Sequence, residues 1–166
     1  MEFRAVTPAD DSFLYALYSD ARRDEVTAWG WDASQADAFL RMQWSAQNQS
    51  YAMHYPDAVH LIIVFEGQDT GRVVIHYGIE SIRLVDIAVM SRHRNRGIGV
   101  AVMRHLQREA ELAELPVHLS VTSGNPAKRL YERLGFECVN ADASDLYIAM
   151  RWEPGHKMNR KKGAIE

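Results

Sequence analysis

Between Met90 and Arg108 the chain carries five arginines, Arg92, Arg94, Arg96, Arg104 and Arg108, with no acidic residue among them. Gly97 and Gly99 fall inside this run, after the apolar-rich segment Asp86-Ile87-Ala88-Val89. From Gly97 onward, Ile98, Val102, Leu106, Ala110 and Ala113 recur at three- and four-residue steps, which predicts a helix. A strand that leads through a glycine loop into a helix exposes the unpaired N–H groups and the positive dipole end of that helix. Glycines there let a phosphate approach the amides without meeting a Cβ. The chemistry this suits is the binding of a pyrophosphate or a similar polyanion.

Three kinds of phosphate loop compete for this segment. A P-loop needs Gly-Lys-Ser/Thr after its glycines, which is absent. A dinucleotide fingerprint needs a small residue where Val102 stands, and an acid closing the next strand, which Val117 to Thr122 lacks. The remaining pattern is Arg-x-x-Gly-x-Gly, at Arg94, Gly97 and Gly99. Downstream comes Asn125-Pro126-Ala127-Lys128-Arg129-Leu130-Tyr131-Glu132-Arg133-Leu134-Gly135-Phe136. Together these resemble the two signatures of the Gcn5-related N-acetyltransferase (GNAT) family. One is Gln/Arg-x-x-Gly-x-Gly/Ala between the fourth strand and third helix. The other is a strand, an Asn, a short helix with a Tyr, then Leu-Gly-Phe. The resemblance covers about Ala58 to Trp152, and the first 57 residues match in element order alone.

The resemblance implies an acetyl-CoA-dependent N-acyltransferase that acts by direct transfer in a ternary complex with an amine. The main chain of Ile87, Ala88 and Val89 would bind the pantetheine arm. The segment Arg94, Asn95, Arg96, Gly97, Ile98, Gly99 and Val100 would hold the pyrophosphate. Tyr131 matches the family tyrosine that can protonate the departing thiolate; a phenol of ordinary pKa near 10 suits that step. A packed aromatic is the alternative role for Tyr131. Asn125 stands six residues before Tyr131 where the commonest family form has seven, so Gly124 fills the usual Asn slot. Asn125 therefore serves either as a CoA contact or as a helix cap before Pro126. The general base is open among Asp86, Glu25, His76, Glu80 and a water chain. Asp86 could instead be a carboxylate paired with Arg83 or another basic neighbour. Trp29, Trp31, Gln43, Gln47 and Tyr51 lie on the elements that flank the acceptor site in the family, and either line it or serve helix packing.

The elements that position these groups follow from periodicity and punctuation. Glu2 to Val6 reads as a strand, and Thr7-Pro8 opens a helix carrying Phe13, Leu14, Leu17 and Tyr18 on one face. Trp29-Gly30-Trp31-Asp32 interrupts it, and Ser34 can cap a second helix to about Tyr51. Ala58–Phe65, Arg72–Ile79 and Ile82–Met90 read as an antiparallel meander, with a turn over Gly67 to Gly71. After the Gly97 helix come a strand at Val117–Thr122, a short helix at Ala127–Leu134 closed by Gly135, and strands at Phe136–Val139 and Leu146–Trp152. The expected fold is α+β and GNAT-like. Its mixed, mostly antiparallel central sheet is flanked by helices in the order β-α-α-β-β-β-α-β-α-β-β.

Composition agrees with one such domain, placed at residues 1–152, with a flexible basic tail at 153–166. The chain has 166 residues, is 47% hydrophobic and carries a net charge of −3. A protein working through nucleic-acid phosphates would more often be basic, so no nucleic-acid partner is expected. No apolar run approaches the ~18 residues that span a bilayer, so no membrane partner is expected. A lone Cys138 and an N-terminus without a signal-like apolar core suggest a cytoplasmic setting. The seven histidines show no paired metal spacing, and no catalytic metal is expected. The last two strands could pair or splay between subunits, which leaves a homodimer open. A CoA-binding module or sensor without turnover is the rival reading. It would keep the phosphate loop and need neither Tyr131 nor a base.

Overall fold

A computed structural model describes residues 1–139 and 146–155, and most of the tail assigned as basic and flexible lies outside the described residues. Strand β1 (Glu2–Ala5) leads through a single 3-10 turn at Pro8–Asp10 into α1 (Asp11–Asp20), α2 (Arg23–Ala28) and α3 (Ala33–His54). Three strands follow, β2 (Val59–Phe65), β3 (Gln68–Tyr77) and β4 (Ile82–Val89). A 3-10 turn at Ser91–His93 precedes α4 (Ile98–Ala113), β5 (Val117–Thr122), α5 (Ala127–Arg133), β6 (Glu137–Cys138) and β7 (Tyr147–Trp152).

Local chemistry explains where the helices begin and break. The expected first helix is two helices, α1 and α2. Ser19 Oγ donates back to the Tyr15 carbonyl at 2.5 Å, a bond that loosens a last helical turn. Asp20 turns out of the helix to accept from the N–H and hydroxyl of Ser91 at 2.7 and 2.8 Å. Helix α3 starts ahead of Ser34 because Asp32 is its cap. Asp32 Oδ1 accepts from the Gln35 N–H at 2.8 Å and Gln35 Oε1 accepts from the Asp32 N–H at 3.3 Å, a reciprocal capping box.

The turn expected over Gly67 to Gly71 is shorter, at Glu66-Gly67, with φ of 52° and 74°. This is the two-residue geometry that suits the twist of a hairpin, and Phe65 pairs directly with Gln68. The other turn-like residues are absorbed by a β-bulge. Ile63 faces Gly71 and Val64 faces Asp69, so Thr70 is left over. Thr70 is fully buried, and its hydroxyl donates to the Ile63 carbonyl at 3.0 Å. At Gly71 the neighbouring strand passes so close that a Cβ would lie 2.2 Å from the Ala88 carbonyl oxygen. Gly71→Ala is therefore expected to destabilise the fold by roughly 1–3 kcal/mol, the scale of overpacking. The midpoint of urea unfolding reads this directly; an unshifted midpoint would mean that β3 and β4 can separate there at no cost.

The sheet order is β1-β2-β3-β4-β5-β7-β6. Every neighbouring pair is antiparallel except β4 with β5, which is parallel. One face of the sheet packs on α4 through Ile63, Val73, Ile75, Leu84, Val102, Met103 and Leu106. On β3 the alternate residue Arg72 points to the other face and reaches α3 through Gln47. Tyr18, Val26 and Leu40 form a second, smaller core that ties α1, α2 and α3 together. Strand β7 pairs with both β5 and β6 within the chain.

Candidate active site

Strands β4 and β5 are in register only at Ile82↔Val117 and Arg83↔His118. A bulge follows at once in β4, because Val74 faces Asp86 and Ile75 faces Leu84, leaving Val85 over. Beyond it β4 and β5 have no ladder between them, although β5 stays paired with β7 along its whole length. A gap thus opens inside the sheet toward the carboxyl ends of the two parallel strands, where such sheets commonly receive ligands. Ile87, Ala88 and Val89 border it. Backbone groups without a strand partner can bind an extended amide chain as a strand would.

The loop after β4 closes the wide end of this gap. Arg94 Nε donates to the Val89 carbonyl at 3.1 Å, which ties the loop to the end of β4. Asn95 and Gly97 take left-handed conformations, with φ of 60° and 76°. The first bond of α4 runs from the Ala101 N–H to the Gly97 carbonyl at 3.0 Å. Among the described residues, the N–H groups of Gly97, Ile98, Gly99 and Val100 find no acceptor in the chain. Gly99 faces Leu130 of α5, where a Cβ would sit 3.5 Å from Leu130 Cδ2. The start of α4 therefore lies beside α5. The guanidinium of Arg96 is engaged elsewhere, with Glu66 at 2.7 Å and over the Phe65 ring at 4.9 Å. Arg92 and Arg96 flank the buried His93 at 3.1 and 3.4 Å. At position 96 the loop thus offers its main chain more readily than its charge.

Tyr131 comes from α5, next in the chain after β5. Its ring is 6% exposed and lies 5.9 Å from that of Phe136. Burial pushes its hydroxyl up to about 12, and the Asp86 charge acts in the same direction. Tyr131 and Asp86 therefore sense one another although they belong to elements on opposite sides of the gap. Asp86 is held by Arg72, not Arg83: Arg72 Nη2 lies 2.6 Å from Asp86 Oδ2 and also donates to Gln47 Oε1 at 3.2 Å. The Tyr51 ring is 5.8 Å from the same guanidinium. Burial, with help from the Asp86 charge, pushes the Tyr51 phenol upward as well.

The other sequence candidates separate from this cluster. Glu25 is exposed on α2, and nothing in the described residues ties it to Asp86 or Tyr131. The His76 ring lies tilted against that of Tyr55, with centroids 5.6 Å apart, and Glu80 follows β3. Both sit where β4 begins and is still paired with β5, away from the open end. Trp29, Trp31 and Phe39 pack edge-on upon one another at 5.1–5.5 Å. Gln43 is exposed, whereas Gln47 reaches Arg72. Asn125 Oδ1 accepts from the Ala127 N–H at 2.9 Å, just ahead of α5. Arg72 is the residue that sequence reasoning missed. The hairpin register pairs Arg72 with Ala88, two residues from Asp86, and that diagonal relation was its only signal. Among the described residues no three His, Cys, Asp or Glu side chains converge as a metal site would require, and no helix is long and apolar enough to cross a membrane.

Comparison with known proteins follows the same lines. The family model described as an acetyltransferase (GNAT) domain matches residues 56–138, half of the chain. No curated protein matches the chain by sequence. Among solved structures, PaiA N-acetyltransferase from Thermoplasma acidophilum, in complex with coenzyme A, aligns with a TM-score of 0.66 at 13% identity, covering 92% of this chain and 98% of that one. An acetyltransferase from Thermus thermophilus aligns with 0.65 at 17% identity over 92% and 96%. A family member from Elizabethkingia anophelis, with acetyl-CoA bound, aligns with 0.54 at 14% identity over 63% and 82%. At these identities the structural likeness speaks for the fold.

Proposed function

The chain belongs to the GNAT acetyltransferase family, and from that premise we propose that it transfers an acetyl group from acetyl-CoA to a primary amine by direct attack in a ternary complex. The observation that carries this reading is the gap between β4 and β5, which ends on the unpaired amides of α4 with Tyr131 across it. In this reading the main chain of Ile87, Ala88 and Val89 binds the pantetheine arm. The pyrophosphate lies on the N–H groups from Asn95 to Val100, with Arg94 fixing the loop. CoA and acetyl-CoA occupy two of the structural neighbours, which agrees with that use.

The chemical step then balances as follows. The amine nitrogen attacks the thioester carbonyl carbon, and an N–H of β4 stabilises the negative charge that develops on its oxygen. The C–S bond breaks, and the sulfur receives a proton from Tyr131. With its pKa raised to about 12, Tyr131 is protonated throughout the neutral range. The proton lost by the amine passes to Asp86, directly or through water, and solvent restores both groups. Asp86 serves this role better than Glu25, because Asp86 lies at the gap and Glu25 lies on the outer surface of α2.

The test is thiol release from acetyl-CoA in the presence of a broad panel of small amines, amino-acid derivatives and peptides with free amino termini. At least one amine is expected to raise the release rate well above the hydrolysis background. Tight CoA binding with no release for any amine would favour the binding-module reading and overturn this one.

A further inference from the structure

The group that the reaction scheme leaves unused is the most buried charge near the gap. The Arg72 side chain is 7% exposed, and its Nε is wholly buried without a hydrogen-bond partner. A buried donor left unpaired is costly, and a buried ion pair is weak evidence of stability, since apolar side chains often replace one at no loss. The gain from Arg72 therefore lies in what its charge does to its partner. That partner is Asp86, at 2.6 Å, and Gln47 of α3 shares the same Nη2 at 3.2 Å.

We propose that Arg72 is a positioning residue for the reaction: it fixes Asp86 Oδ2, leaving Oδ1 to take the proton of the incoming amine. This inference rests on the reading of Asp86 as the proton acceptor. The clamp draws on three elements. Arg72 comes from β3, Asp86 from the bulged part of β4, and α3 supplies Gln47 together with the Tyr51 ring. The bulge at Val85 sets Asp86 directly opposite Val74, on the sheet face that carries Arg72. The docking of α3 thus bears on the proton acceptor through a single guanidinium.

The experiment measures kcat and KM for the best amine, the KM for acetyl-CoA and the Tm in the wild type and in Arg72→Met, Arg72→Gln, Arg72→Lys and Asp86→Asn. kcat is expected to fall by roughly tenfold or more in Arg72→Met and Arg72→Gln, with the KM for acetyl-CoA within about twofold, and to recover in Arg72→Lys. Arg72→Gln keeps a donor at the site, so it reads the ion pair even if Arg72→Met does not fold. A lower Tm with an unchanged kcat in the soluble variants would make Arg72 purely structural and overturn the proposal. If Asp86→Asn keeps full activity, the reading of Asp86 as acceptor fails and this inference fails with it. If Asp86→Asn is inactive while the Arg72 variants keep the wild-type kcat, the failure belongs to this inference alone.

Discussion

Gly97→Glu is expected to weaken acetyl-CoA binding by at least on the order of 10²-fold, or about 2.7 kcal/mol. Two effects combine at this position. Gly97 has a φ of 76°, a left-handed conformation that costs an ordinary L-residue roughly 1–2 kcal/mol. A Cβ at Gly97 meets nothing within 4 Å, so the new side chain projects into open space beside the unpaired amides of α4. A carboxylate there competes with the phosphates for the same N–H groups and repels them. Gly97→Asn separates the two effects, because Asn tolerates the left-handed region and carries no charge. Its affinity should stay within about tenfold of the wild type, with Gly97→Glu far below. Calorimetry with acetyl-CoA measures both; equal affinities for the wild type and the Glu variant would remove the phosphate site from this loop.

Tyr131→Phe should lower kcat by on the order of 10²-fold, the scale of a positioned proton donor, with little change in the KM for acetyl-CoA. The hydroxyl makes no hydrogen bond to any described residue, whereas the ring packs beside Phe136. The substitution therefore keeps the packing and removes only the donor, so Tm should be close to that of the wild type. The pH dependence has a definite sign. A donor acts in its protonated form, and a pKa of about 12 leaves Tyr131 protonated until the solution is strongly alkaline. The wild type should therefore show no falling limb from Tyr131 below about pH 10, and Tyr131→Phe should lower the rate evenly across that range. An unaltered kcat would end the proton-donor assignment.

The segments that could be read along the chain are those whose chemistry is local. Helix α4 announces itself through the spacing of Ile98, Val102, Leu106 and Ala110, all of which are buried. The loop before it is legible because Gly97 serves a left-handed turn that most residues avoid. Strand β5 runs over Val117–Thr122 as its alternation suggests. Local composition misleads where distant partners decide. The segment Gln68 to Gly71 has turn-like composition, yet it continues β3, because a buried Thr70 bulge and a close pass against Ala88 accommodate it. The break between α1 and α2 depends on Asp20 reaching Ser91, 71 residues away.

The sequence by itself determined the order of the strands along the chain and the motifs that carry the family resemblance, because each depends on residues within one or two turns of one another. Tertiary structure alone decided that β4 and β5 part after a single bulge, that Arg72 and not Arg83 holds Asp86, and that Glu25 stays on the outer surface. Those outcomes depend on strand register and on the seating of α3 against the sheet. Both are set by packing between segments that lie far apart along the chain, and no local pattern encodes them.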